Sequence, residues 1–93
     1  MLTVFVRVKV KPNFEDDYVA AAKALVKSSR KELENITYDF CKTDGSDHEY
    51  CFVERWESYS SLEKHQASQH YIDAKAVFEE LIEDIQTTIG EMI

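Results

Sequence analysis

Residues 50–71 read YCFVERWESYSSLEKHQASQHY, a strand-like segment that runs directly into a helix-like one. Glu54 and Trp56 are two residues apart on the strand that we predict over 50–57, so their side chains point to the same face of the sheet. The helix that follows can return over that face and bring His65 toward them. The stretch therefore predicts a cavity in which a carboxylate, an indole and an imidazole come together.

The chain before this stretch begins with a strand and a long helix. Residues 2–11 alternate, with valines at positions 4, 6, 8 and 10 on one face and Phe5 on the other. Pro12 ends the strand because it has no amide hydrogen to donate. Asn13 is expected to cap a helix over 14–32, in which apolar residues recur at helical spacing.

A hairpin is expected between the next two strands, which we predict over 36–42 and 50–57. The polar residues 43–48 form the turn between them. The two cysteines have no metal-ligand spacing, and in a reducing compartment they would be free thiols. The alternation of both strands allows a register with three facing pairs: Phe40 with Phe52, Tyr38 with Glu54, and Cys41 with Cys51.

Two helical segments and a last strand complete the predicted order of elements. Ser60 and Glu63 form a capping box that would open the first segment, and Ser68 is expected to cap the second. Thr87, Thr88 and Ile89 favour a short final strand within 86–93, where Gly90 could mark a bulge. Apolar residues of the second segment share one stripe: Tyr71, Ala74, Val77, Phe78, Leu81 and Ile85.

The order βαββαβ predicts an α+β, ferredoxin-like fold with an antiparallel sheet. A length of 93 residues allows one domain, which we place over 1–93. Both helices would cover one face of the sheet, so the opposite face, with Phe5, would be exposed in a monomer. A bare apolar sheet face is an association surface. The sequence therefore predicts a homodimer packed through its sheet faces.

The charge of the chain argues against two classes of partner. The formal net charge is −7, and no cluster of lysine and arginine stands out. Binding to nucleic acid or to an anionic membrane surface depends on basic patches, so neither is expected. No apolar run approaches the ~18 residues of a membrane span. Arg7 and Lys9 interrupt the first apolar segment too early for a signal peptide, and a cytoplasmic location is expected.

The sequence contains no recognisable cofactor site. A chain with two glycines has no glycine-rich loop for a nucleotide or flavin. Its histidines, His48, His65 and His70, lack the close spacing of a metal site, so we predict neither a cofactor nor a metal. His48 lies in the polar turn and is expected to be exposed to solvent.

Three ionisable residues are the candidates for catalysis. Glu54 lies in mid-strand between apolar residues, and it is either a salt-bridge partner at the sheet edge or a carboxylate that orients a histidine or a ligand. His65 is either a hydrogen-bonded core residue or a proton carrier. His70 is either a residue of the cap region or a second site histidine. Trp56 is either a cavity wall or the largest core side chain.

The pattern E-R-W-E at 54–57, followed by His65 and by S-x-H-Y at 68–71, resembles the antibiotic biosynthesis monooxygenase family. Lys11-Pro12, Glu32 and Ile36-Thr37-Tyr38 also look like family positions, and the resemblance covers almost the whole chain. It implies a dimeric α+β barrel. Relatives usually have Pro-Gly after the position of Glu32, where this chain has Leu33-Glu34.

The resemblance implies a cofactor-independent monooxygenase that oxidises a small aromatic or quinol-like substrate with O2. Tyr38, Trp56, His65 and His70 are the site positions carried over from the family. In such chemistry the carbanion of the substrate reduces oxygen, so the protein supplies a dry cavity, a base and hydrogen bonds to an oxyanion. Aromatic side chains would bind the substrate: Tyr38, Phe52, Trp56, Tyr71 and Phe78.

Two other functions remain open on the sequence. A branch of similar proteins that processes a phosphorylated signalling sugar shares the pattern H-x4-H-Y of residues 65–71, which implies an isomerase or lyase acting on a small carbonyl compound. A non-catalytic, ligand-binding stress-response dimer is the third possibility. The haem-degrading branch is not expected, because Val6 and Lys75 occupy the positions of its characteristic asparagine and histidine. A basic pocket would favour the sugar, and a pocket filled by side chains would favour the non-catalytic protein.

Overall fold

The computed structural model describes residues 1–93 and contains four strands and three helices. The strands form one antiparallel sheet in the order β2-β3-β1-β4. None of the helices has the length and hydrophobicity needed to cross a membrane. The predicted ferredoxin-like fold is confirmed, with its second helix divided in two. The elements are β1 (Leu2–Val10), α1 (Glu15–Ser29), β2 (Asn35–Lys42), β3 (Glu49–Trp56), α2 (Tyr59–Gln66), α3 (Gln69–Leu81) and β4 (Ile82–Glu91).

The two faces of the sheet differ as the alternation of β1 predicts. Val4, Val8 and Val10 are buried against the helices, whereas Phe5 on the opposite face is 50% exposed. The predicted hairpin register is also confirmed, since Phe40, Tyr38 and Cys41 face Phe52, Glu54 and Cys51. Both cysteines are free thiols. This register determines which side chains of β2 and β3 point toward the helices.

Helix α1 is shorter than the predicted range of 14–32, and Asn13 does not cap it. Asn13 adopts a left-handed conformation with φ of 73°, which asparagine tolerates in turns, and it turns the chain before the helix. Phe14 occupies the N-cap position without a side-chain hydrogen bond. Three acidic residues in the first turn, Glu15 to Asp17, interact favourably with the helix dipole instead.

The N-cap of α2 is Ser58, two residues before the predicted Ser60. The Ser58 hydroxyl accepts a hydrogen bond from the amide of Ser61 at 3.2 Å, and its extended backbone is the conformation that an N-cap requires. Ser60 lies inside the first turn. The predicted second cap is confirmed, because the Ser68 hydroxyl accepts from the amide of Tyr71 at 3.3 Å and opens α3.

The last strand begins earlier than predicted. Helix α3 ends at Leu81 and β4 starts at Ile82, so Ile85 belongs to the strand and not to the helical stripe. Gly90 pairs regularly with Thr3, and the irregularity of the ladder lies between Lys9 and Val10. The physical reason is that β1 needs a hydrogen-bonding partner along its whole length, and this pairing overrides the helical spacing of the sequence.

Candidate functional site

A cavity of about 240 Å³ lies between the inner face of the sheet and the helices. Its walls are mainly apolar side chains of β1, β3, β4 and all three helices. Valines of β1 form the floor, and Ile85, Thr87 and Ile89 of β4 form one side. A small apolar cavity with few polar groups is the usual form of a small-molecule site. The polar groups that reach it therefore define the chemistry available there.

His65 is the most constrained polar residue of the cavity. Its side chain is 1% exposed, and Nδ1 lies 2.6 Å from Oε2 of Glu32, which follows α1 in the next turn. On the other side of the ring, Nε2 lies 3.5 Å from the hydroxyl of Tyr38. When the carboxylate accepts the Nδ1 proton, Nε2 is left as a hydrogen-bond acceptor on the side of Tyr38, and both of these residues line the cavity. The pair therefore has the arrangement of an oriented general base.

The pKa of His65 reflects two opposing influences. Burial lowers the pKa because a charged imidazolium loses its solvation, while the hydrogen bond and the charge of Glu32 act in the opposite direction. Burial dominates, so the net shift of the pKa is downward. A neutral imidazole is the form that can accept a proton. The surroundings of His65 therefore favour the form needed for a base near neutral pH.

Glu54 is a buried carboxyl group without a cationic partner. It is 4% exposed, and the indole N–H of Trp56 donates to its Oε1 at 3.0 Å. Burial raises the pKa of Glu54 to about 7, although the hydrogen bond from Trp56 acts to lower it. At neutral pH this group is therefore present in both protonated and ionised forms. A carboxyl group in such a state can exchange a proton with a ligand.

Aromatic rings surround the imidazole of His65 on three sides. The ring centroids of Trp56, Tyr71 and Tyr38 lie 4.5, 4.9 and 5.3 Å from that of His65. These contacts restrict the rotation of the imidazole and exclude water around it. They explain how a short helix, α2, can hold one side chain in a defined orientation.

Six of the predicted site residues line the cavity and two do not. Trp56 is 1% exposed, does not line the cavity and contacts His65 and Glu54 instead of a ligand space. His70 points to the far side of Glu32, where its Nε2 lies 2.9 Å from Oε2. The six residues that line the cavity are Tyr38, Phe52, Glu54, His65, Tyr71 and Phe78.

Two residues of the site were not among the predicted ones. The sequence marks Glu32 only through its resemblance to a family position. Tyr18 looked like one member of the apolar stripe of α1, but it lines the cavity and its buried hydroxyl has no hydrogen-bond partner in the chain. Burial raises the pKa of Tyr18 above its ordinary value, so this hydroxyl is neutral and retains an unused donor.

The third histidine lies away from the cavity. Nδ1 of His48 is 3.0 Å from Oε2 of Glu15, and the hydroxyl of Tyr50 donates to Oε1 of the same carboxylate at 2.7 Å. The side chain of His48 is 37% exposed, so it reaches solvent as predicted, but its pairing with a carboxylate was not predicted. The pair ties the hairpin to the first turn of α1 and plays no part in the cavity.

One group of side chains has the composition of a metal site. Ligand atoms of Glu32, His65 and His70 all lie within 4.8 Å of one another. The spacing of the histidines in the sequence gave no indication of this, because the contribution of Glu32 comes from a distant turn. No comparable group lies elsewhere in the chain.

Comparison with known proteins places the chain among small α+β proteins. The family model described as antibiotic biosynthesis monooxygenase matches residues 1–77. The "Putative monooxygenase YcnE" of Bacillus subtilis (strain 168) is 27% identical over 82 residues, which cover 88% of this chain and 86% of YcnE.

Two solved structures illustrate the structural similarity. Rv0793 from Mycobacterium tuberculosis has a TM-score of 0.94 at 24% identity and covers 99% of this chain and 94% of its own. A crystal structure of an antibiotic biosynthesis monooxygenase has a TM-score of 0.94 at 21% identity and covers 100% of this chain and 99% of its own. These structures support the fold, and the family match over 1–77 is the finding that supports membership. The chain belongs to the antibiotic biosynthesis monooxygenase family.

Proposed function

We propose that this protein is a cofactor-independent monooxygenase that oxidises a small aromatic, quinol-like substrate with O2. The observation that carries the proposal is the Glu32–His65 pair: its Nε2 lies beside the hydroxyl of Tyr38, and both His65 and Tyr38 line an apolar cavity that is rich in aromatic rings. Such a cavity binds flat aromatic molecules through their faces and edges. The oriented imidazole supplies the base that this chemistry needs.

The reaction begins with removal of a proton from the substrate by Nε2 of His65. The resulting carbanion or phenolate transfers an electron to O2, and the two radicals combine to a peroxide. Loss of water then leaves a carbonyl group: the reacting ring carbon, which is CH2 in the keto tautomer of the phenol, becomes C=O, and O2 provides the carbonyl oxygen and the oxygen of H2O. The substrate provides all four electrons, and each oxygen atom of O2 is accounted for. The hydroxyl of Tyr38, next to Nε2, is placed to donate a hydrogen bond to the substrate oxyanion.

Glu54 is the second proton-transfer group in this mechanism. With a pKa of about 7, its protonated form can donate to the departing oxygen of the peroxide. Trp56 acts through Glu54 as a positioning residue, since its indole N–H bonds to the carboxyl oxygen. We therefore assign the contact with the substrate ring to the aromatic residues of the cavity wall and not to Trp56.

The replacement Trp56→Phe tests the influence of the indole on Glu54. The hydrogen bond from Trp56 stabilises the ionised carboxylate, so its loss is expected to raise the pKa of Glu54 above its value of about 7. NMR titration of side-chain carboxyl carbons measures this pKa directly. Phe52→Leu changes the packing beside Glu54 without removing a donor and serves as the control. An unchanged or lower pKa in Trp56→Phe would contradict the assigned role.

The unpaired hydroxyl of Tyr18 supports a substrate with more than one polar group. Tyr18 lines the same cavity as Glu54 and His65, and its hydroxyl is buried behind the lining surface, where a small side-chain shift would bring it to a ligand. A ligand with a second oxygen could satisfy this hydroxyl, whereas a ligand with one polar end would leave it unpaired at a cost. A dihydroxylated aromatic, or its quinol equivalent, has this property.

The replacement Tyr18→Phe should have opposite effects on stability and on affinity for the ligand. Leaving a buried hydroxyl unpaired costs about 1–3 kcal/mol, so its removal should raise the free energy of unfolding by about 1 kcal/mol. Affinity for dihydroxylated aromatics should fall about 3- to 10-fold relative to monohydroxylated ones. Chemical denaturation and calorimetry measure these quantities. Tyr50→Phe, which removes a hydroxyl bonded to Glu15, should instead destabilise the protein; a loss of stability in Tyr18→Phe would contradict the argument.

The cavity is poorly suited to a phosphorylated sugar. Two basic residues of the sheet, Arg7 and Lys42, do not line it: Arg7 donates to Gln86 at 2.7 Å, and Lys42 lies 5.9 Å from the centroid of the Tyr50 ring. Lys75 is the basic residue of the lining, and Glu54 and Glu79 accompany it. A phosphate would meet more negative than positive charge there.

We also propose that the protein acts as a homodimer in which the outer sheet faces pack together. Phe5 lies at the centre of this face, flanked by Val53 on β3 and Thr88 on β4. The helices cover only the other face, so a second copy is the natural partner for this one.

Oxygen consumption tests the proposed function most directly. The protein is mixed in turn with dihydroxylated aromatics and with anthrone-like compounds, and an oxygen electrode records the rate of O2 consumption. Each rate is compared with the rate of autoxidation of the same compound without protein. Turnover should yield one carbonyl product for each O2 consumed. Calorimetry shows which compounds of the panel bind to the protein. If compounds bind but none is oxidised faster than the uncatalysed rate, the protein is a binding protein and not an oxygenase.

A further inference from the structure

The Nδ1 edge of the His65 ring contacts a second cluster of titratable side chains. Glu32 lies between two imidazoles there, with Oε2 at 2.6 Å from Nδ1 of His65 and 2.9 Å from Nε2 of His70. The cluster joins three places in the fold: the turn after α1, the end of α2 and the start of α3. The mechanism proposed above uses Glu32 only to orient His65 and has no use for His70.

We propose that Glu32, His65 and His70 form a binding site for a divalent transition-metal ion of the Zn²⁺ type. Two imidazole nitrogens and a carboxylate oxygen are among the preferred ligands of such ions, and three protein ligands leave one position for water. In a tetrahedral site with bonds of about 2.0–2.2 Å, ligand atoms lie about 3.3 Å apart. Oε2 of Glu32 lies 2.6 and 2.9 Å from the two imidazole nitrogens, slightly closer than this spacing. All three ligand atoms lie within 4.8 Å of one another, so side-chain shifts of about 1–2 Å would bring them to the tetrahedral spacing.

The two histidines are held on the same side by the break between their helices. Ser68 donates its hydroxyl to the carbonyl oxygen of His65 at 2.6 Å and caps α3 through the amide of Tyr71. One side chain thereby connects the end of α2 with the start of α3. The imidazole centroids of His65 and His70 are 6.0 Å apart, and a preorganised pair of ligands lowers the cost of binding an ion.

An ion could reach these ligands without entering the cavity. The side chains of Glu32 and His70 are 18% and 29% exposed, whereas His65 is buried. The outer two ligands therefore connect the site to solvent. The three protein ligands carry at most one negative charge, which suits a borderline ion with nitrogen ligands better than Ca²⁺ or Mg²⁺.

Occupation of this site has a consequence for the base. A metal bound at Nδ1 requires that nitrogen to be deprotonated, so the proton of the neutral ring resides on Nε2. His65 then presents a hydrogen-bond donor to the cavity where it otherwise presents an acceptor. The ion would inhibit the proposed oxidation; this step rests on the proposed function, whereas the binding itself does not.

Metal binding can be measured without any assay of activity. Zn²⁺ is titrated into the full chain by calorimetry and in competition with a chromophoric chelator, and Co²⁺ is used to record the visible spectrum of the site. We expect one ion per chain and a Co²⁺ spectrum of low coordination number. Glu32→Gln and His70→Asn should each weaken binding at least about tenfold.

Two control variants identify other sources of binding. His48→Asn removes the remaining histidine, which also has a carboxylate partner, and Cys41→Ser removes one of the two facing thiols. Both should bind Zn²⁺ like the unmodified chain, and circular dichroism verifies that every variant is folded. Absence of saturable binding by Zn²⁺ and Co²⁺ overturns the proposal. So does binding that persists in folded His70→Asn or disappears in Cys41→Ser.

Discussion

Replacement of His65 by alanine is expected to lower kcat for oxidation of the substrate by about 10²–10⁴-fold, the usual contribution of a general base. Nε2 of this residue is the acceptor that Glu32 orients toward the cavity. Because the imidazole is buried and hydrogen-bonded, its loss should also lower the free energy of unfolding by about 1–3 kcal/mol. Rates must therefore be expressed per folded molecule, at temperatures well below the unfolding transition.

Addition of free imidazole distinguishes a base from a packing residue. The His65→Ala variant has space where the imidazole ring was, so imidazole added to the solution should restore part of its kcat. Added imidazole should not change the stability of the other variants. His48→Ala is the matched control, since it removes an imidazole bonded to a carboxylate outside the cavity, and its kcat should remain unchanged. Full kcat per folded molecule in His65→Ala would exclude His65 as the base.

The second large effect is expected at the outer face of the sheet. Phe5→Asp should raise the dissociation constant of the homodimer by at least about a hundredfold, because an unpaired charge buried in an interface costs about 3–5 kcal/mol. Phe5 is 50% exposed in the single chain, so the substitution should disturb the fold of the protomer little. Sedimentation velocity over a range of protein concentrations measures the dissociation constant.

The control for this experiment is a similar substitution on the helical side. Tyr59 in α2 is 56% exposed, and Tyr59→Asp adds the same charge away from the sheet. That variant should dimerise like the unmodified protein. A chain that sediments as a monomer before any substitution, or a Phe5→Asp variant with an unchanged dissociation constant, would show that the outer sheet face is not the interface.

The sequence predicted the fold well because its determinants are local. Alternation in β1 indicated which face is buried, and the parity of the hairpin allowed the observed register, although a slip of two residues would have kept the same parity. The exact caps were harder to predict: the segment 58–61 contains three serines, and only the extended backbone of Ser58 distinguishes the true cap. The boundary at Leu81 was missed because the residues of β4 form a strand through pairing with β1, a contact distant in sequence.

Part of the site was predicted because some of its residues are close together in the sequence. Glu54 and His65 belong to one continuous strand–helix segment, so their proximity follows from local geometry. Glu32 is 33 residues from His65, and its position depends on where α1 ends, which spacing alone does not determine. The alternation of β3 placed Trp56 on the inner face of the sheet. It did not indicate whether the indole would pack against neighbouring side chains or line the cavity.

The two-residue junction between α2 and α3 has a consequence for how related chains can diverge. Each residue of an α-helix advances the side-chain direction by about 100°. Residues 67–68 lie outside both helices, and Ser68 is extended, so deletion of one of them would change the direction in which α3 leaves α2 and move His70 relative to Glu32, even if every side chain of the cluster were retained. The length of this junction, more than its composition, then decides whether a relative can place two imidazoles on one carboxylate. Sequence identity at positions 32, 65 and 70 has meaning only in chains whose spacing between the histidines is also preserved.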